Sequence, residues 1–231
     1  MKRSYHPLLL CLACLLLAAC GAPPTARVLF IGNSYTFVNG GLDHQLAGLA
    51  RTIETRPLAI GGYTLEQHWT DGSDVQVIRQ GGWNFVVLQD QSQTPVLDAT
   101  RFDDALRKFD KEIKAQGGRT VLLMTWERPD SVALGVTTAN LAAGYQAMGG
   151  ELGALVAPAG LAFARSLQER PELVLTSPDG HPTPAGTYLA ACVLYGTLFK
   201  QTPVGNSFAD WTMPAATRDF LQQVAAETLG Y

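Results

Sequence analysis

Short runs of apolar residues alternate along the chain with longer segments in which apolar residues recur every three or four positions. The short runs resemble strands that are covered on both faces, and the longer segments follow the period of an α-helix. The pattern predicts strands at about residues 27–31, 57–60, 84–88, 120–124 and 154–156. It predicts helices at about residues 42–53, 75–78, 98–116, 141–152, 161–168, 186–199 and 215–229. This alternation favours an α/β fold with a mostly parallel sheet flanked by helices.

The first predicted strand runs directly into Gly32-Asn33-Ser34. Open α/β sheets bind their ligands at the carboxyl ends of the strands. A hydroxyl group that follows the first strand is therefore well placed for chemistry, and we predict that Ser34 is a nucleophile. The same pattern, taken alone, also fits the N-cap of the following helix.

The N-terminus has the pattern of an export signal. Lys2 and Arg3 precede an apolar run over residues 8–17. This run is too short to span a bilayer, so the pattern predicts a signal peptide at residues 1–19.

The end of this run, Leu17-Ala18-Ala19-Cys20, resembles the lipobox of bacterial lipoproteins. The resemblance implies an acylated Cys20 in the cell envelope, followed by a tether that ends at residue 26; acyl chains on one Cys form a stable membrane anchor. An ordinary signal peptide cut after an Ala is the alternative. No Asp follows Cys20, which by resemblance to enterobacterial sorting favours the outer membrane over the inner membrane.

Composition restricts what the remaining residues 27–231 can do. The chain is 47% hydrophobic and 16% charged, which suits one domain with a full core. Loss of Lys2 and Arg3 leaves 15 basic residues against 20 acidic ones, so a nucleic-acid-binding surface is not expected.

Cys192 is the only thiol besides Cys20 in the mature chain, which excludes an internal disulfide. We expect no metal and no cofactor, because Cys and His are too few for a zinc site and no nucleotide-binding motif is present.

Four polar or glycine-containing motifs stand near the predicted strand ends and before a late helix. They are Gly32-Asn33-Ser34-Tyr35-Thr36, Gly61-Gly62-Tyr63-Thr64, Gln89-Asp90-Gln91-Ser92 and Ser177-Pro178-Asp179-Gly180-His181-Pro182. Their order and spacing resemble the SGNH, or GDSL-type, esterase and lipase superfamily over nearly the whole mature chain. The resemblance implies a flavodoxin-like three-layer sandwich. The absence of a G-x-S-x-G motif argues against the α/β-hydrolase arrangement.

A serine hydroxyl group is a poor nucleophile unless a base takes its proton. His44 lies on the helix after Ser34, about 15 Å away at 1.5 Å per residue, and His68 lies in an irregular stretch that could line the cleft. His181 stands in a turn beside Asp179. We therefore predict that His181 is the general base and that Asp179 orients it.

The spacing of this pair departs from the superfamily. The resemblance implies Asp-x-x-His, whereas this chain has Asp179-Gly180-His181, with Pro178 at the usual Asp position. Gly180 could bend the backbone enough for Asp179 to reach the imidazole. A Ser-His dyad, with Asp179 as a turn residue, is the alternative.

The oxyanion formed during acyl transfer requires preorganised donors. The resemblance implies the backbone N–H groups of Ser34 and of Gly61 or Gly62, and it places Gln91 where the family has an Asn. Gln91 offers the same amide donor from one methylene further out, and Gln89 is the fallback. The alternative is that both glutamines only bind neighbouring loop backbone.

These assignments predict a lipid-anchored serine esterase that forms an acyl-enzyme on Ser34. The resemblance favours carbohydrate O-acetyl esters over lipase or thioesterase substrates, because exported members often deacylate carbohydrates. One alternative is a non-catalytic binding lipoprotein that keeps the fold and the cleft. Acyl transfer to a hydroxyl group other than water would use the same residues.

Overall fold

Five parallel strands form the centre of the molecule in a computed structural model that describes residues 25–209 and 213–231. The strands are β1 (Ala26–Gly32), β2 (Ile53–Ala59), β3 (Phe85–Leu88), β4 (Arg119–Leu123) and β5 (Leu155–Ala157). Their order is β2-β1-β3-β4-β5, and all neighbours pair in parallel. This order is that of a doubly wound flavodoxin-like sheet, whose direction of winding changes between β1 and β3. The predicted fold class is confirmed.

Helices cover both faces of the sheet. They are α1 (Ser34–Phe37), α2 (Leu42–Ala50), α3 (Leu65–Asp71), α4 (Ser73–Arg79), α5 (Thr94–Leu97), α6 (Ala99–Ala115), α7 (Thr138–Leu152), α8 (Ala159–Glu169), α9 (Pro184–Phe199) and α10 (Ala215–Leu229). Because successive strand residues point to opposite faces, Val28 and Phe30 pack under α2, α9 and α10, whereas Leu29 and Ile31 pack under α3, α4 and α6. These two cores bury both faces of the central strand β1.

The region around β2 differs from the prediction. The helical pattern predicts a helix up to Ile53, but α2 ends at Ala50 and Arg51 adopts a left-handed φ of 62°. Ile53 is instead the first residue of β2. Since β2 is an edge strand with half-exposed side chains, it lacks the apolar run that identifies a central strand, and it tolerates Pro57.

The stretch around His68, which the sequence predicts to be irregular, is helix α3. Thr64 and Gln67 form a reciprocal capping box at its N-terminus. A Thr followed three residues later by Gln is a known start signal for a helix, so this element could have been found from the sequence.

The predicted signal peptide, Cys20 and the tether up to residue 24 lie outside the described residues. Among the residues that are described, no helix is both long enough and apolar enough to cross a membrane. Cys192 is a buried free thiol in α9.

Candidate active site

Ser34 lies at the carboxyl edge of the sheet, where β1 turns into α1. The N-cap of α1 is Asn33, whose Oδ1 accepts a hydrogen bond from the backbone N–H of Tyr35. The Ser34 hydroxyl group is therefore not needed as a cap. Its Oγ lies 2.9 Å from Nε2 of His181, 147 residues later in the chain.

His181 is in turn bound by Asp179, despite the short spacing. Nδ1 of His181 lies 3.0 Å from Oδ2 of Asp179. Gly180 makes this possible, because its φ of 86° folds the turn back on itself. The structure thus brings together Ser34, His181 and Asp179 in the order expected of a triad. Asp179 contacts the imidazole of His181 and is not only a turn residue.

The carboxylate of Asp179 is itself held in place. Its Oδ1 accepts hydrogen bonds from the Ser177 hydroxyl group (2.5 Å) and from the backbone N–H of His181 (3.3 Å). These two bonds, the first being the stronger influence, lower the pKa of Asp179 to about 2. Asp179 is therefore ionised at any pH at which an imidazole could act as a base.

Three backbone N–H groups are available beside the Ser34 hydroxyl group. Within the described ranges, the N–H groups of Ser34, Gly61 and Gly62 donate to no protein acceptor. The loop that carries the two glycines is tied to the nucleophile turn, because Nδ2 of Asn33 donates to the Tyr63 carbonyl oxygen at 3.0 Å. These groups can therefore serve as preorganised donors to an oxyanion.

The two glutamines after β3 play different parts. Gln89 is fully buried; its Oε1 accepts from the backbone N–H of Asn33 and from the Thr36 hydroxyl group, both at 2.9 Å. Its Nε2 donates to Asn33 Oδ1 and to the Asp90 carbonyl oxygen. Both of its amide hydrogens are engaged, so the fallback assignment of Gln89 as oxyanion donor is not supported.

Gln91 presents a free amide. Its Oε1 accepts from the backbone N–H groups of Gln93 (2.8 Å) and Thr94 (3.2 Å) at the start of α5, which fixes the orientation of the side-chain amide. Its Nε2 has no acceptor among the residues the structure covers. The loop-binding alternative thus accounts for Oε1 of Gln91 but not for its Nε2, and Gln89 binds the side chains of Asn33 and Thr36 as well as loop backbone.

Comparison with solved structures identifies related proteins. A protein from Slackia heliotrinireducens assigned to the SGNH hydrolases is 30% identical, with a TM-score of 0.67 over 75% of this chain and 98% of that one. The chain belongs to the SGNH hydrolase superfamily. This membership supports an ester-hydrolysing function.

More distant structures share the SGNH fold. A member of the lipolytic G-D-S-L family from Veillonella parvula is 12% identical, with a TM-score of 0.64 over 76% of this chain and 99% of that one. A variant of an acetyl-xylooligosaccharide esterase from Geobacillus is 16% identical, with a TM-score of 0.58 over 80% of this chain and 96% of that one. Comparisons with family models and with curated proteins give no match.

Trp126 is a structural component of this SGNH site that the sequence did not reveal. Only 1% of it is exposed, and its ring is stacked between those of Tyr35 (4.8 Å) and Phe163 (4.1 Å). Its Nε1 donates to the Gly180 carbonyl oxygen at 3.1 Å. Trp126 therefore fixes the turn that carries His181.

Asp90 was also missed as a site component. It is 1% exposed, and its Oδ1 accepts from the backbone N–H groups of Leu65 (3.0 Å) and Gln91 (2.7 Å). Burial raises its pKa to about 6, in spite of these two hydrogen bonds. Asp90 links the start of α3 to the residue that carries the free amide.

The other two histidines do not reach the hydroxyl group of Ser34. The His44 ring contacts Phe208 edge-on, at 6.4 Å between ring centres. His68 does not line the cleft; it is 1% exposed and lies beneath the nucleophile turn, with Nε2 2.8 Å from the Gly32 carbonyl oxygen.

Gln91→Glu is expected to reduce kcat for ester hydrolysis by about 10²- to 10³-fold, the usual effect of losing one oxyanion donor. The carboxylate keeps an acceptor for the N–H groups of Gln93 and Thr94, so α5 stays capped, while the donor is lost. Steady-state kinetics with p-nitrophenyl acetate measures the effect, and Gln93→Ala is the control, because the Gln93 side chain does not cap α5. A Gln91→Glu enzyme with wild-type kcat would remove Gln91 from the oxyanion site.

Proposed function

We propose that this protein is a serine esterase in which Ser34 is the nucleophile, His181 the general base and Asp179 the residue that orients His181. One observation carries the proposal: an unbroken chain of contacts from Ser34 Oγ to His181 Nε2 (2.9 Å) and from His181 Nδ1 to Asp179 Oδ2 (3.0 Å). A protein that only bound a ligand would not need this chain.

Acylation begins when Ser34 Oγ attacks the ester carbonyl carbon and its proton passes to Nε2 of His181. The carbonyl oxygen becomes an oxyanion, stabilised by the N–H of Ser34, the N–H of Gly61 or Gly62, and Nε2 of Gln91. The tetrahedral intermediate then collapses, the C–O bond to the alcohol breaks, and His181 gives its proton to the departing alkoxide. The products are the free alcohol and an acyl-Ser34 ester.

Deacylation repeats the sequence with water as the nucleophile. His181 takes a proton from water, the hydroxide adds to the acyl carbon, and collapse releases the carboxylic acid as Ser34 recovers its proton from His181. Asp179 stays ionised throughout and stabilises the imidazolium formed in each half-reaction. A sugar hydroxyl group in place of water would give acyl transfer with the same residues.

We propose a carbohydrate O-acetyl ester as the substrate. The structurally similar Geobacillus protein is described as an acetyl-xylooligosaccharide esterase. Ser34 is half-buried at an edge where Gly61 and Gly62 are exposed, and such an open edge can admit an ester on a long polymer.

The proposed lipid on Cys20 would place the protein in the bacterial cell envelope, at the outer membrane. Thr25 lies at the amino end of β1, where its N–H donates to the Thr52 carbonyl oxygen at 2.7 Å. The strand rises about 3.3 Å per residue, so the anchor would join the domain about 20 Å from Ser34, at the opposite edge of the sheet. Palmitate labelling of the whole chain that persists in Cys20→Ser would contradict this anchor.

Acetate release from acetylated xylan, together with hydrolysis of p-nitrophenyl acetate, tests the proposed activity. We expect faster turnover of the acetyl ester than of the octanoyl ester, and an acetyl adduct on the Ser34 peptide when the reaction is quenched early. Hydrolysis of p-nitrophenyl acetate without acetate release from xylan would reject the carbohydrate substrate. A protein that hydrolyses none of these esters but is stabilised thermally by acetylated xylan would favour the binding lipoprotein.

A further inference from the structure

A second aspartate–histidine pair lies beneath the nucleophile turn and takes no part in the proposed mechanism. His68 in α3 and Asp74 in α4 are 1% and 6% exposed. Nδ1 of His68 lies 2.5 Å from Oδ2 of Asp74, and Nε2 lies 2.8 Å from the carbonyl oxygen of Gly32. The Tyr63 ring contacts the imidazole edge-on, at 5.2 Å between ring centres.

The hydrogen-bond partners decide where the protons are. A carbonyl oxygen can only accept, so Nε2 of His68 carries a proton and donates it to Gly32. The contact with Asp74 contains a second proton, located either on Nδ1 or on the carboxyl group. The pair is neutral as a whole in both cases, which explains how it is accommodated in a buried position.

The Gly32 carbonyl group belongs to the peptide that leads into the nucleophile turn. Besides His68, it accepts from the N–H of Ile60 at 3.1 Å. The N–H at the other end of the same peptide, that of Asn33, donates to Gln89 Oε1 at 2.9 Å. Because a peptide unit is planar, holding both ends fixes its rotation and therefore the direction in which the chain continues to Ser34.

Close packing around Gly32 restricts the orientations that the Gly32–Asn33 peptide can adopt. A Cβ atom on Gly32 would lie 2.5 Å from Thr36 Oγ1 and 2.6 Å from Gln89 Oε1. The chain therefore passes through a narrow space at Gly32, and the direction of its carbonyl group depends on the donors that face it.

We infer that His68, held by Asp74, is a positioning residue for the nucleophile: its Nε2–H fixes the Gly32–Asn33 peptide and thereby aims the Ser34 hydroxyl and N–H groups. The inference rests on the proposed function, because it assigns a role to that same serine. His68 does not touch the substrate. Loss of its hydrogen bond should weaken interactions made in the transition state more than substrate binding, so kcat should fall while KM stays near the wild-type value.

Two double variants separate positioning from folding. His68→Met with Asp74→Leu replaces the pair by apolar side chains, which avoids leaving one buried charge alone; such replacements are often neutral for stability. His68→Gln with Asp74→Asn keeps a donor for the Gly32 carbonyl oxygen and pairs the two amides with each other. We measure thermal unfolding, kcat and KM with p-nitrophenyl acetate for both.

The apolar pair should unfold cooperatively and lose kcat by about tenfold or more, as small misplacements of reacting groups do. The amide pair should recover most of that loss. A folded apolar pair with wild-type kcat would overturn the inference, as would an amide pair that is as impaired as the apolar one. Activity that survives in Ser34→Ala would instead reject the proposed function.

A spectroscopic measurement on the Ser34→Ala protein needs neither a folded double variant nor esterase activity. In spectra with ¹⁵N-labelled histidine, Nε2 of His68 should carry a proton that exchanges slowly with solvent. An Nε2 without a proton would overturn the inference, because it could not donate to Gly32.

Discussion

Ser34→Ala is expected to reduce kcat for ester hydrolysis by about 10⁴- to 10⁶-fold, the range seen when a triad member is removed from a serine hydrolase. The physical reason is that the substitution removes the Ser34 hydroxyl group, which among the described residues is the only hydroxyl group hydrogen-bonded to the His181 imidazole ring. His181→Ala should cause a loss of the same order, and the double variant should be no worse than either single one, because the two residues act as a unit.

The chain contains a matched control for this serine. Gly205-Asn206-Ser207 repeats the tripeptide of the nucleophile turn, but the Ser207 hydroxyl group accepts a hydrogen bond from Arg51 at 2.9 Å and follows no strand. Ser207→Ala should keep the wild-type kcat. Equal rates for Ser34→Ala and the wild type would reject the serine mechanism, and a near wild-type rate for Asp179→Asn would show that a dyad is sufficient.

Trp126→Ala is expected to destabilise the protein by about 3–5 kcal/mol, the usual cost of truncating a buried Trp. It should also lower kcat of the molecules that remain folded. The reason is that the Trp126 ring packs between Tyr35 and Phe163 and its N–H holds the Gly180 carbonyl group, next to His181. Chemical denaturation gives the free energy of unfolding, and kinetics below the unfolding transition gives kcat.

Trp83 provides the matched control at the opposite edge of the sheet. Trp83 stands just before β3 begins and is 6% exposed. Its Nε1 donates to the Val77 carbonyl oxygen at 3.1 Å. Trp83→Ala should destabilise the protein to a similar extent but leave kcat unchanged. Equal loss of kcat in both variants would mean that Trp126 has no specific effect on the His181 turn.

Much of the site was predictable because it depends on where strands end. An apolar run followed by Gly-Asn-Ser is a local pattern, and parallel strands bring their carboxyl ends to one edge whatever lies between them. Ser34 could therefore be selected from the sequence. His181 followed from the chemistry of a serine nucleophile and from the small number of histidines, and the structure brings the two side chains together.

The assignments left open were those that depend on side-chain geometry. Whether Asp179 reaches His181 is decided by the φ of Gly180, and glycine allows many values of φ. Whether Gln89 or Gln91 has a free amide is decided by partners up to 56 residues away. Neither the φ of Gly180 nor the partners of the glutamine amides can be predicted from the spacing of residues along the chain.

The sequence by itself determined the α/β alternation, the family resemblance and the two residues Ser34 and His181, because hydrophobic period and strand-end chemistry are local properties of the chain. Only the tertiary structure decided that Trp126 supports the turn carrying His181. It also decided that His68 lies beneath Gly32 rather than in the cleft. These features arise from packing between elements far apart in sequence, where a displacement of a few ångströms decides which donor meets which acceptor.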